Sequence, residues 1–211
     1  MSPKKQAYEN MAKTVIGNFE RRGIEGYYCE DAKAAVAKAC SLMEEGSVVS
    51  WGGSMTLTET GMMDALKEGK YKLIDRAVAK TEQEKREIYA KTVMADYYFM
   101  SSNAITLDGE LVNIDGNGNR VACLITGPAN VIILAGMNKL VSSIDEGIDR
   151  VHNFAAPPNG VRLSCKTPCA LTGICGDCYS PDCMCCEVVI TRKSKVPGRI
   201  KVILIGEEFG Y

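Results

Sequence analysis

Histidine and tryptophan are the residue types that this chain of 211 residues has least of, with one of each. No Ser/His/Asp arrangement can be assembled around the single histidine, His152. A lone histidine on a helix is more often structural than a proton shuttle. We expect the single tryptophan, Trp51, to pack in the core and not to act as a stacking platform. The sequence therefore gives no support for a Ser/His/Asp hydrolase.

A surplus of charge and a long apolar run are also missing. The chain has 25 Lys and Arg residues against 26 Asp and Glu residues, for a formal net charge of −1. Without a surplus of Lys and Arg, nothing would neutralise the phosphates of a nucleic acid, so we exclude nucleic acids as partners. The N-terminal segment lacks the apolar run of about 7–15 residues of a secretory signal, and no stretch resembles a spanning helix of about 20 residues. We therefore expect a cytoplasmic protein without a membrane span.

Length and composition indicate one folded unit. Hydrophobic residues make up 46% of the chain and charged residues 24%, as is typical of globular proteins. Because domains usually have about 100–200 residues, we predict a single domain over residues 1–211. No internal repeat or low-complexity tract interrupts it.

Helical and strand patterns alternate along this domain. Helices are predicted within residues 1–23 and over 31–45, 82–94 and 143–154, the last ended by the breaker at 157–160. Strands are predicted at 47–51, 71–75, 95–100, 131–135, 187–191 and 199–205. Asp108-Gly109 suits a two-residue turn between antiparallel strands at 104–107 and 110–114. The order predicts an α/β fold: an open, mostly parallel, Rossmann-like sheet with helices on both faces and a small antiparallel insertion.

Seven of the ten cysteines crowd the segment 164–186, which has no helical or strand period and is predicted to be a loop inserted between sheet elements. In a reducing cytosol, such a cluster indicates metal binding or catalysis and not disulfides. The Cys175-x2-Cys178 pair lets two thiolates converge, and two further cysteines complete a shell for zinc or a four-iron cluster. The spacing does not decide between these metals. Reduced surface thiols, or disulfides formed in air, are the alternatives.

Two glycine- and Asx-rich loops are candidate ligand sites. Gly52, Gly53 and Ser54 follow a predicted strand and precede a helix, where free backbone N–H groups favour an anion, although paired glycines also form ordinary turns. In the segment 113–120, Asp115, Asn119 and Arg120 are placed at a ligand, with Arg120 clamping a carboxylate or phosphate bidentately. The alternative for that segment is a helix N-cap by an asparagine, Asn117 or Asn119.

Long motifs give the chain a family resemblance. WGGSMTLTETG, ITLDGELVNIDGNGNRVACLITGPANVIILAGMNKLV, AAPPN, TPCALTGICGDC and GRIKVILIGEEFGY resemble the lactate-utilization domain family, called LUD, over residues 5–211. The resemblance implies a fold similar to the superfamily of ribose-phosphate isomerase, glucosamine-phosphate deaminase and CoA-transferase, with phosphate- or carboxylate-binding loops at strand ends. Family members are associated with bacterial lactate oxidation alongside iron–sulfur partner proteins.

The resemblance also implies roles for individual residues. Matching the family pattern selects four cysteines and leaves Cys165, Cys183 and Cys186 as extras, and the association with lactate oxidation favours an iron–sulfur cluster over zinc. The selected cysteines are Cys169, Cys175, Cys178 and Cys185. Lys139 occupies a position similar to one that faces substrate in the isomerase superfamily, and Glu59 is a candidate general base. Fold analogy suggests a homodimer.

Three functions remain open from the sequence. The first is a redox-linked accessory component of lactate or organic-acid utilization that binds a small anionic ligand and carries the cysteine-ligated site. The second is an isomerase- or transferase-like enzyme acting on a phosphorylated or CoA-linked small molecule. The third is an interaction module in which zinc folds the segment 164–186.

Overall fold

The computed structural model describes residues 2–211, which form two β-sheets flanked by helices. The strands are β1 Glu25–Cys29, β2 Val48–Trp51, β3 Lys72–Ile74, β4 Tyr97–Met100, β5 Ala104–Thr106, β6 Leu111–Asp115, β7 Asn130–Gly136, β8 Leu140–Val141, β9 Glu187–Thr191 and β10 Ile200–Ile205. The larger sheet has the order β1-β10-β7-β4-β2-β3, and every neighbouring pair in it is parallel. The predicted α/β class with a mostly parallel sheet is confirmed.

Alternating side chains bury both faces of the larger sheet. On β4 and β7, Tyr98 and Ile133 belong to one hydrophobic core, whereas Phe99 and Ile132 belong to another on the opposite face. Because side chains alternate along a strand, a strand covered on both faces is apolar throughout, as the segment 131–135 indicates. This burial confirms that β7 is a central strand.

The helices along the chain are α1 Pro3–Arg21, α2 Ala32–Ser41, α3 Met55–Glu59, α4 Met62–Glu68, α5 Glu82–Val93, α6 Asn119–Ile125, α7 Ile144–Arg150, α8 Ala156–Arg162 and α9 Pro168–Thr172. α1 begins at its N-cap Ser2, and its buried Phe19 packs into one core, while Ala35 of α2 packs into the other. Helices thus cover both faces of the sheet, as predicted. Among residues 2–211, no helix combines the length and apolarity needed to cross a bilayer.

The predicted helix break at residues 157–160 is wrong. A π-helical turn over 151–155 joins α7 to α8, and the Ala156 N–H bonds to the carbonyl of Val151, five residues back. Pro157 and Pro158 then fall in the first turn of α8, where backbone N–H groups need no partner within the helix. The prolines therefore start a helical segment and do not end one.

The small sheet has the order β8-β5-β6-β9, with antiparallel β5–β6 and β6–β9 pairs and a parallel β5–β8 pair. The predicted two-residue turn at Asp108-Gly109 is wrong, because the Thr106 N–H bonds to the Glu110 carbonyl and leaves three residues in the connection. Gly109 has a φ of +90° there, the left-handed conformation that a three-residue connection requires.

Two elements were absent from the sequence prediction. β1 is a short edge strand whose residues are mostly half-buried, so its hydrophobic pattern is weak. The segment 164–186, where the sequence predicts a loop, contains α9. The Thr167 side chain caps that helix, Pro168 is its first residue, and Gly173 ends it at φ +79°. These residues are ordinary signals for the start and end of a helix, but the helix is only five residues long.

Candidate functional site

A cavity of about 340 Å³ opens at the carboxyl ends of the parallel strands. The loop after β2 contributes Gly53 and Ser54 to its wall, and the loop after β4 contributes the segment 101–103. From β2 the chain moves to β3 on one side, whereas from β4 it moves to β7 on the other. Such a switch point leaves a crevice between two diverging loops, which is where open α/β sheets bind ligands.

Positive side chains dominate the wall of this cavity. Arg76, Arg120, Lys139 and Arg162 line it, against the single carboxylate of Asp115. Electrostatic attraction in a partly enclosed site therefore favours an anion.

Arg76 and Arg162 differ from the other cations in how their guanidinium groups are engaged. Within residues 2–211 the guanidinium of Arg76 donates no hydrogen bond to another residue. It packs closely against Gly53, where an added Cβ would lie 2.7 Å from the Arg76 Nη2 atom. Arg162 directs its Nε and Nη2 to the Asn159 Oδ1 at 3.2 Å and 2.7 Å. These two guanidinium groups therefore have N–H donors that are free to bind a ligand.

Arg120 holds the cavity wall together and does not present a free fork. Its Nη1 donates to Asn113 Oδ1 at 2.6 Å and to the Ser101 carbonyl at 3.3 Å, and its Nη2 donates to Asn103 Oδ1 at 2.8 Å and to the Ile114 carbonyl at 2.9 Å. A bidentate clamp on a ligand, as the sequence suggested, would need these same donors. Arg120 therefore supplies positive charge and ties the loop after β4 to β6.

Asp115 caps the helix that carries Arg120. Its Oδ2 accepts the backbone N–H groups of Arg120 at 3.0 Å and Val121 at 3.1 Å. The predicted cap by Asn117 or Asn119 is wrong. The N-cap residue of α6 is Gly118, at φ +72°, and glycine has no side chain that could accept a hydrogen bond. Asn119 remains on the cavity wall.

Gly52 and Ser54 shape the loop after β2 in different ways. Gly52 lies outside the lining of the cavity, and a Cβ there would come within 2.9 Å of the Tyr98 hydroxyl and 3.2 Å of Arg120 Cγ. It is thus required for the close packing of Arg120. The Ser54 hydroxyl accepts the Leu57 N–H at 3.4 Å and caps α3, whose five residues give it only a small dipole.

Lys139 lies in a short 3₁₀ turn after β7 and points into the cavity, although it is only 4% exposed. Its Nζ donates to the backbone oxygen of Tyr211, the last residue of the printed chain. Burial, and then the charge of Arg150, lower the Lys139 pKa to about 7, while Glu59 opposes this shift. Glu59 does not line the cavity, and its Oε2 accepts the Gly210 N–H at 2.7 Å. Burial and the neighbouring Arg150 thus favour the neutral form of the amine.

A second cavity of about 200 Å³ is lined by five of the seven clustered cysteines. They are the expected four, Cys169, Cys175, Cys178 and Cys185, together with Cys183. Cys165 and Cys186 are not part of the wall, and all ten cysteines of the chain are free thiols. The topology thus gathers thiols that are spread over 17 positions of sequence from 169 to 185.

These thiols face one cavity without converging on one point. In residues 2–211, no three His, Cys, Asp or Glu side chains lie close enough to hold a single metal ion. Burial, followed by the neighbouring thiols of Cys183 and Cys175, raises the pKa of Cys185 to about 12. Cys185 is therefore a protonated thiol at neutral pH unless a cation stabilises its thiolate.

The two cavities share a wall. Met184, Cys185 and Ala156 line both of them. His152 lines the cysteine cavity as well, one turn before Ala156 on the same helical segment. The lone histidine, which the sequence pattern assigned to structure, thus lies beside the clustered thiols.

Arg76, Arg162 and the segment 101–103 are site residues that the sequence did not single out. Arg76 follows the edge strand β3 and Arg162 ends α8, so only tertiary packing brings them to the cavity. The segment 101–103 did carry a signal, because polar residues directly follow the apolar strand β4.

Comparisons with known proteins agree with this fold. A model of the LUD domain family matches residues 12–205. The crystal structure of a DUF162 family protein from Deinococcus radiodurans is similar, with a TM-score of 0.50 and 14% identity over 97% of this chain and 99% of that chain. eIF2B delta from Chaetomium thermophilum has a TM-score of 0.38 and 18% identity over 56% of this chain and 50% of that chain, too low to support an argument. No curated protein sequence matches the chain.

Proposed function

Since the chain belongs to the LUD domain family, we propose that it is a redox-linked component of organic-acid utilization, such as that of lactate. In this proposal the cation-lined cavity binds a small anion, and the neighbouring cysteines hold an iron–sulfur cluster that exchanges electrons with iron–sulfur partner proteins. The observation that carries the proposal is the shared wall, because Cys185 and Met184 line both cavities.

The charges of the larger cavity support the anionic ligand. Arg76 and Arg162 present donors on its wall, and Arg120 adds positive charge from behind. Guanidinium groups pair with carboxylates through two parallel hydrogen bonds, which selects planar anions. A 2-hydroxy acid or its oxidised form has such a carboxylate and fits a cavity of about 340 Å³.

The donor set of the smaller cavity fits an iron–sulfur cluster. A four-iron cluster takes four cysteine thiolates, and Cys169, Cys175, Cys178 and Cys185 would hold it, with Cys183 and His152 beside them. A single zinc ion needs all its ligands within about 2.3 Å of one point. No such convergence exists within residues 2–211, so the preference for a cluster rests on the family's association with lactate oxidation and not on this geometry. Such a cluster supplies one-electron transfer.

Ligand-induced stabilisation tests the anion site. We expect lactate or pyruvate to raise the Tm of the purified protein, and Arg76→Gln to reduce that shift, because a ligand stabilises the state it binds. Arg86→Gln is the matched control, since Arg86 is exposed on α5 and lies outside the cavity. An equal loss of the shift in both variants would contradict a site at Arg76.

Elemental analysis after anaerobic purification tests the cluster. We expect iron and acid-labile sulfide in the wild-type protein, a loss of both in Cys178→Ser, and retention in Cys40→Ser. Cys40 is a half-buried thiol of α2 and lies outside the cysteine cavity. Zinc at one ion per chain without iron would instead support the zinc-folded interaction module, and an iron-free, zinc-free protein would remove the redox role.

Lys139 favours a second candidate function. A buried amine in a cation-lined cavity suits an isomerase- or transferase-like enzyme that acts on phosphorylated or CoA-linked small molecules. Sugar phosphates and acyl-CoAs belong in the same thermal-shift panel. Stabilisation by these compounds and not by carboxylates would favour the enzyme over the accessory component.

A further inference from the structure

Asn103 lines the larger cavity from the loop after β4, and the protein fixes the orientation of its side-chain amide. Arg120 Nη2 donates to Asn103 Oδ1 at 2.8 Å, and the backbone N–H of Ile114 donates to the same oxygen at 3.1 Å. Both partners can only donate, so a reversed amide would place its N–H groups against two donors. The oxygen of Asn103 therefore faces Arg120, and its nitrogen, Nδ2, lies on the other side of the amide.

The backbone of Asn103 is anchored as well. Arg150 Nη1 donates to the Asn103 carbonyl at 2.9 Å, and Arg150 Nε donates to the Asn138 carbonyl at 2.8 Å. Two arginines thus hold the main chain and the side chain of one cavity residue. A group that is held in place before binding loses little conformational entropy when a ligand arrives.

The Nδ2 group of Asn103 has no hydrogen-bond acceptor within residues 2–211 and is not buried. Asn113 provides the contrast, because its Oδ1 also accepts from Arg120, at 2.6 Å, but its Nδ2 is buried without a partner. Asn113 does not line the cavity, whereas Asn103 does. The two N–H donors of Asn103 are therefore open to a ligand in the cavity.

The other asparagines of the cavity wall differ from Asn103. Asn159 uses both ends of its side-chain amide within the protein. Within residues 2–211 the side chains of Asn117 and Asn119 make no hydrogen bond, so nothing fixes which end of each amide faces a ligand. Asn103 combines a fixed orientation with free donors.

We propose that Asn103 Nδ2 donates a hydrogen bond to an oxygen of the small anion that the larger cavity binds. This inference rests on the proposed anion site and assigns a binding residue within it. An amide N–H group needs a ligand atom with a lone pair, such as an oxygen of the carboxylate of a 2-hydroxy or 2-oxo acid. An ammonium group at the same place would set donors against donors.

NMR of the side-chain amides tests the proposal on the wild-type protein. Isotope-labelled protein is titrated with lactate or pyruvate, and the two N–H cross-peaks of Asn103 are identified by their loss in Asn103→Asp. We expect the ligand to move these cross-peaks and to leave those of Asn153 in place. Asn153 is the matched control, because it is exposed, donates to the Asp149 carbonyl and lies outside the cavity.

Two variants separate donation by Asn103 from the charge of Arg120. Asn103→Asp keeps an oxygen for Arg120 and loses the N–H groups, whereas Asn113→Asp gives Arg120 the same charged partner outside the cavity wall. We expect Asn103→Asp to weaken binding of lactate or pyruvate about 10-fold or more while the Tm of the ligand-free protein does not fall. Asn113→Asp should weaken binding less, and equal losses in the two variants would overturn the proposal.

The thermal shift separates this inference from the function on which it rests. A rise in Tm with lactate or pyruvate, together with unmoved Asn103 cross-peaks, would overturn the donor and leave the anion site intact. This comparison uses the wild-type protein and holds even if Asn113→Asp fails to fold. The absence of both a thermal shift and any movement of the cross-peaks would overturn the anion site and the donor together.

Discussion

Replacing Lys139 with methionine should change how the stability of the protein depends on pH. The unfolded chain keeps the lysine proton up to the ordinary pKa of 10.5, whereas the folded chain releases it near pH 7. Between these values the unfolded state binds more protons, so the free energy of unfolding contributed by this group rises with pH. Below pH 7 both states are protonated, and the cost of the buried charge is fully present. Methionine has a similar volume and no proton to release.

The size of the effect follows from the shift of the pKa. One unit corresponds to about 1.4 kcal/mol, so the wild type should gain on the order of 4 kcal/mol relative to Lys139→Met between pH 7 and pH 10. The variant also leaves the backbone oxygen of Tyr211 without its lysine donor. Losing this hydrogen bond changes the unfolding free energy of the variant by the same amount at every pH. The plots of unfolding free energy against pH for the two proteins therefore still differ in slope.

Urea unfolding between about pH 6 and pH 10, followed through the fluorescence of Trp51, measures these slopes. Other titrating groups contribute equally to both proteins and cancel in the difference. Lys91→Met, at an exposed position, should run parallel to the wild type. Parallel curves for the wild type and Lys139→Met would refute the reasoning, because they would mean that the folded protein does not depress the pKa of Lys139.

Three further substitutions test the frame of the site. Gly52→Ala places a Cβ 3.2 Å from Arg120 Cγ and should cost about 1–3 kcal/mol in urea unfolding; an unchanged midpoint would mean that Arg120 can move aside. Asp115→Ala removes the cap of α6 and should cost about 0.5–2 kcal/mol, most of which Asp115→Asn should restore; equal losses would argue against capping. Ile133→Ala, in the fully buried centre of β7, should cost about 2–5 kcal/mol of unfolding free energy; a loss below about 1 kcal/mol would show that the core closes around the gap.

The central part of the fold was predictable because its pattern is dictated by burial. β4 and β7 are covered on both faces, which requires apolar residues throughout and makes them visible in the sequence. β1 was missed because an edge strand needs fewer apolar residues. The continuation of the helix past Pro157 was also missed, since a π-helical turn relocates the prolines to a first turn and leaves no distinctive sequence signal.

The candidate site was predictable where it follows a strand. Gly53, Ser54 and Lys139 come directly after apolar strands, and parallel strands bring their carboxyl ends to one edge of a sheet. Arg76 and Arg162 reach the same cavity through tertiary packing, which residue spacing does not encode. The bonding of Arg120 was similarly hidden, because its acceptors come from β6 and from the loop after β4, which are separate in the sequence.

The pairing of β1 with β10 has a consequence for biosynthesis. β10 lies between β1 and β7 in the larger sheet, although 170 residues separate Cys29 from Ile200 in the chain. Until β10 is made, β1 has no partner in this sheet, and β7, once it is made, has an open edge, the kind of exposed strand that promotes aggregation. The cysteine segment is synthesised before β10, so its thiols emerge before the sheet closes. A metal group that these thiols bind can therefore enter before the sheet is complete.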